Sequence, residues 1–108
     1  MNKVNSLYFA VLALLPLSGW AAYPIEVDKQ LNGTEISYAT QDIDSDMGGM
    51  TLRNLGSMPV TCSAVFRNGP EAPRTRCTTV DGGQTSNLTV KFHRPIIKLR
   101  IQLRCSPK

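Results

Sequence analysis

Residues 42–49 read Asp-Ile-Asp-Ser-Asp-Met-Gly-Gly, three carboxylates two places apart followed by glycine. Oxygen ligands in that rhythm open a calcium loop of the EF-hand kind. Such a loop needs acids at its first, third and fifth positions, glycine at the sixth and a bidentate glutamate at the twelfth. Counted from Asp42, the sixth position is Met47 and the twelfth is Arg53, whose charge would repel the ion. Glycine comes one place late, and no helical periodicity flanks the run. The pattern therefore reads as a solvated acidic strand end. Its charge discourages edge-to-edge strand pairing and suits it to face basic residues of this chain or of a partner. No metal site is expected.

The other chemistry-bearing side chains are few. His93 is the only histidine, lying between Lys91-Phe92 and Arg94-Pro95. One imidazole with no Cys/His spacing of the zinc type does not make a metal centre. Serines and aspartates are present, but no Gly-x-Ser-x-Gly elbow supports a nucleophilic triad, so His93 reads as an exposed strand-end residue. No catalytic residue and no cofactor is assigned. Asn32-Gly-Thr and Asn87-Leu-Thr match the glycosylation sequon, yet Asn32-Gly33 is already explained as a turn.

Charge is divided along the chain. Residues 22–52 hold one lysine against six acids, a net of −5, and residues 53–108 hold ten Lys and Arg against Glu71 and Asp81, a net of +8. Neutralisation of one half by the other within a folded domain is the plain reading, and a basic face for an anionic partner is the sharper one. Few aromatics interleave the basic residues, so no stacking platform for nucleic acid is formed.

The elements that must position these residues are strands. Alternation is common, and Gly, Pro and Asn punctuate it. Ile25 and Val27 share a face, as do Ile36 and Tyr38 in a strand over 34–40. Gly48-Gly49 is expected to break the chain before a strand over 50–54. Strands follow over 60–66 (Val60, Cys62, Ala64 and Phe66 inward), 74–80 (Thr78 and Val80 inward) and 87–93 (Leu88, Val90 and Phe92 inward), with Asp81-Gly82-Gly83 as a hairpin-type turn. The last stretch alternates most clearly: Ile97, Leu99, Ile101, Leu103 and Cys105 against Lys98, Arg100, Gln102 and Arg104. One oily and one cationic face place it in a half-exposed sheet. Seven short strands and no convincing helix predict an all-β chain, a single immunoglobulin-like antiparallel β-sandwich. If the last two strands pair, Lys91, Lys98, Arg100 and Arg104 form a cationic docking surface.

The N-terminus reads differently. MNKVNS, the apolar run LYFAVLALLPL and the small residues of SGWAA are the parts of a secretory signal. The run is shorter than the roughly 20 residues that span a bilayer. A cut after Ala21 puts Gly19 and Ala21 at the two positions that must be small. The expectation is a signal peptide over 1–21 and one sandwich domain over 22–108, periplasmic or secreted and without a transmembrane segment. All three cysteines fall in the exported part, where a disulfide is the default. Face assignment favours Cys62–Cys105, with Cys77 on the opposite face. The two other pairings, no bridge, and a Cys77 bridge to a second chain stay open.

LRNLGSMPVTCSAVFRNGPEAPRTR followed by NLTVKFHRPIIKLRIQLRCSPK resembles a group of small exported bacterial proteins with single immunoglobulin-like sandwiches, the likeness running from Tyr23 to Lys108. Some members carry the label 3-phosphoglycerate kinase. That label does not suit a chain of this size with no glycine-rich phosphate loop opening a helix, in a compartment without ATP. The resemblance implies no catalytic residues. The expected role is an exported, non-catalytic binding or structural module whose basic face meets an anionic envelope component or an acidic protein. The alternatives are a periplasmic inhibitor or accessory subunit docking by an edge strand or by the loop 68–73, and a small hydrolase using His93.

Overall fold

A computed structural model describes residues 23–108. The expected signal segment and its cleavage site lie outside them. The described chain is all-β, with seven strands: β1 (Ile25–Gln30), β2 (Ile36–Asp44), β3 (Met47–Asn54), β4 (Val60–Arg67), β5 (Arg74–Val80), β6 (Thr85–Lys91) and β7 (Leu99–Pro107). They form two packed sheets, ordered β1-β7-β4-β5 and β2-β3-β6. No described helix is long and apolar enough to cross a membrane.

The period-2 alternation read from the sequence sets the core. Val60, Cys62, Ala64 and Phe66 on β4 and Leu99, Ile101, Leu103 and Cys105 on β7 are buried. They meet Met50, Leu52, Leu88 and Val90 from the facing sheet. On β4, β6 and β7 the intervening residues are partly or fully exposed, because successive side chains of a strand point to opposite faces. The hairpins β2–β3 and β4–β5 each stay within one sheet. In the immunoglobulin constant-type order, by contrast, the second and third strands lie in different sheets. One pair, β1 with β7, runs parallel.

Four expectations are corrected. Gly48 and Gly49 do not break the chain; they lie inside β3. A Cβ at Gly48 would come within 2.5 Å of Leu99 Cδ2 and 3.1 Å of the Tyr23 hydroxyl. Glycine thus lets the start of β7 and Tyr23 press onto β3. The Asp81-Gly82-Gly83 turn does not close a hairpin, since β5 and β6 belong to different sheets. For the same reason the last two strands do not pair: β6 lies beside β3, and β7 lies between β1 and β4. Ile97 does not enter the core. β7 begins only at Leu99, and in the irregular stretch before it Ile96 turns inward while Ile97 is 84% exposed. The backbone N–H of Ile96 donates to the Ser45 carbonyl at 2.7 Å, which fixes that choice.

Cys62 and Cys105 are directly opposed partners on β4 and β7, 4.1 Å apart at Cα, and are joined by a disulfide. The bridge ties two neighbours within one sheet. Cys77 is free and exposed on the outer face of β5. Two buried asparagines were not foreseen. The Asn54 amide donates to the carbonyls of Met58 and Val80 at 2.7 and 2.9 Å, and its Oδ1 accepts from Gly56 at 2.9 Å. It thereby pins the β3–β4 loop. Asn68 works at the opposite end of the sandwich.

A cationic groove at one end of the sandwich

The β4–β5 loop and the irregular β6–β7 connection meet at the end of the sheet where β4 finishes and β7 begins. Glu71 holds them together. Its Oε1 accepts the backbone N–H of His93 at 2.9 Å, and its Oε2 accepts that of Arg94 at 3.0 Å. The Asn68 amide, only 6% exposed, donates to Glu71 Oε2 at 3.1 Å and to the Arg94 carbonyl at 3.2 Å. Hydrogen bonds to an ionised carboxylate favour its charged form. The His93 N–H, followed by those of Arg94 and Asn68, holds the Glu71 pKa below its ordinary value.

The clamp positions a groove of about 470 Å³. Arg67, Arg94, Lys98 and Arg100 supply its charge, and Pro70, Pro95 and Ile97 supply its apolar surface. No carboxylate lines it. Arg67 and Arg100 are direct cross-strand partners on β4 and β7. Like charges set opposite each other on a sheet destabilise it. Glu26 on β1, the partner of Arg100 on its other side, offsets part of this. Its carboxylate lies 2.8 Å from Lys98 Nζ and 3.7 Å from Arg100 Nε. The Lys98 hydrogen bond, more than the charges of Lys98 and Arg100, holds the Glu26 pKa below its usual range. Among the described residues neither Arg67 nor Arg94 has a carboxylate within ion-pair distance. Of the four cations, Lys98 and Arg100 thus have an ion-pair partner and Arg67 and Arg94 have none among the described residues. A second hollow on the same face shares Arg67 and Arg100 but adds Glu26 and Asp28, so its charges balance.

Two of the four expected anion contacts, Lys98 and Arg100, lie in this groove; the other two do not. Lys91 ends β6 in the other sheet, its ammonium 4.0 Å from Asp46. Arg104 is on the outer face of β7 but farther along, opposite Ser63 and Gln30. Arg67, Arg94 and Ile97 were not singled out from the sequence as contacts. Their signal lay in the Pro- and Gly-bearing loops beside them, which strand periodicity passes over.

The acidic run forms the β2–β3 hairpin. Asp42 and Asp44 close β2, with a register shift between them, and Asp46 sits in the turn. Asp44 Oδ1 accepts from the Ser45 N–H at 2.7 Å, and the Asp46 carbonyl accepts from the Phe92 N–H at 2.9 Å. No group of three or more His, Cys, Asp or Glu side chains fit to hold a metal ion occurs among the described residues. His93 is exposed, and among the described residues only its backbone enters a hydrogen bond.

No protein-family model matches the chain, and no curated protein is similar to it.

Proposed function

We propose that the protein is an exported, non-catalytic binding module whose groove takes an anionic group of an envelope component or an acidic protein. One observation carries this reading: Arg67 stands opposite Arg100, with Arg94 and Lys98 beside them, and among the described residues Glu26 is the one carboxylate within ion-pair distance of any of the four. An anionic ligand between these cations would relieve their repulsion. Arginine forks match carboxylate and phosphate oxygens in pairs. Export is supported by the leader pattern of residues 1–21 and by a disulfide that an oxidising compartment would preserve.

The test is retention on an immobilised polyanion. Arg67→Ser with Arg94→Ser should elute at clearly lower salt than the parent, while Arg53→Ser, on β3 of the other sheet, should elute with it. Unchanged elution of the double variant would refute the reading. An inhibitor or accessory-subunit role has one observation in its favour, that Asn68, Gly69 and Pro70 of the 68–73 loop line the same groove. In that case a single acidic protein would compete with the polyanion for Arg67 and Arg94.

A further inference from the structure

We infer that the groove end is a membrane-docking tip, with Ile97 entering the bilayer interface while Arg67, Arg94, Lys98 and Arg100 hold anionic phospholipid headgroups. The inference rests on the anion-binding reading and names its partner. Among the described residues Ile97 is the most exposed of the large apolar side chains, at 84%. It adjoins Lys98 in sequence and shares the groove lining with all four cations and with Pro70 and Pro95, both exposed. The groove's charged groups are all cationic, and its projecting apolar groups stand at the same end of the sandwich.

That combination separates a bilayer from a folded protein as the occupant. A protein interface buries a contiguous apolar centre of many residues. Here one isoleucine projects from a cationic collar. A protein partner would have to present a matching pocket surrounded by acids, whereas a bilayer accepts a single apolar side chain at any lateral position. Interfacial binding needs only modest apolar burial added to attraction between basic residues and anionic lipid. Glu26 and Glu71, also at this end, are engaged by Lys98 and by the loop backbone and do not line the groove; the remaining acids here belong to the β2–β3 hairpin of the other sheet. They would therefore orient the docked domain with β7 towards the lipid and the hairpin away from it.

Flotation with phosphatidylglycerol-containing vesicles, against pure phosphatidylcholine vesicles, tests this at low and high salt. The parent should float with the anionic vesicles only, and less so at high salt. Removing two cations, as in Arg67→Ser with Arg94→Ser, should weaken binding by about 30-fold. Ile97→Ser should weaken it by about tenfold, far more than it lowers retention on a soluble polyanion. In the domain over 22–108, which has no tryptophan of its own, Ile97→Trp should show an emission that shifts to the blue when anionic vesicles are added, relative to the same variant in buffer. Equal flotation of Ile97→Ser and parent would overturn the inference and leave the anion reading standing. So would parent protein that fails to float yet is held by the polyanion through Arg67 and Arg94. Failure to bind either probe would overturn both.

Discussion

Glu71 and Arg94 are 23 residues apart in the chain, yet the carboxylate of one accepts the backbone N–H of the other at 3.0 Å. With the His93 N–H on its second oxygen, Glu71 fixes the loop that carries Arg94 and Ile97. The groove is thus built by an acid that does not line it.

That clamp should be acid-labile. The folded state lowers the Glu71 pKa, so its contribution is present above the ordinary glutamate value and is lost as pH falls through the lowered one. Protection factors for the His93 and Arg94 amides should hold from neutral pH down to the ordinary carboxylate range and drop below it. Glu71→Gln should lower both at neutral pH and abolish the acid step. Protection unaffected by this substitution would show that the loop is held by other means.

The Cys62–Cys105 bridge closes a 43-residue separation. In the chain-entropy account a loop of that length contributes about 4 kcal/mol, a large share of the stability of a domain this small. The Cys62→Ala/Cys105→Ala double variant should lose about that much in urea unfolding. Cys77→Ser, at an exposed position, should change stability by less than about 0.5 kcal/mol. Non-reducing peptide mapping should join Cys62 to Cys105 and leave Cys77 alkylatable.

At the other end of the sandwich, Gly82 packs against backbone. A Cβ there would lie 2.6 Å from the Ser57 carbonyl oxygen and 2.8 Å from Ser57 Cα. Neither can retreat easily, because Asn54 holds the same loop through Met58 and Gly56. Gly82→Ala should cost about 1–3 kcal/mol, as overpacking does. Since the site is remote from the groove, polyanion retention should not change at temperatures where the variant is folded.

Tyr23 should titrate late. Burial, followed by the charges of Asp42, Asp44 and Asp46, pushes its phenol up to about 12, and its hydroxyl donates to the Met47 carbonyl. The folded state raises this pKa. The contribution is therefore complete below the ordinary tyrosine value and is lost as pH rises towards 12. Absorbance titration at alkaline pH should resolve a phenolate appearing near pH 12, and Tyr23→Phe should remove that component and lower Tm.

The sequence by itself determined the strands that alternate cleanly. Val60 to Phe66 and Leu99 to Cys105 are buried as their period demands, because a pleated chain with one oily face has one way to hide it. The same alternation put Cys62 and Cys105 on inner faces and Cys77 outside. Only the tertiary structure decided which strands become neighbours. Local pattern says which face of β6 and β7 is apolar but not which sheet each strand joins, so Lys91 lies apart from Lys98 and Arg100. Nor does it extend beyond the regular strand. Of the adjacent Ile96 and Ile97, a long-range hydrogen bond to Ser45 selected the one that turns inward. The groove follows from that selection and from loops clamped by Glu71, contacts between residues far apart in the chain that no local period records.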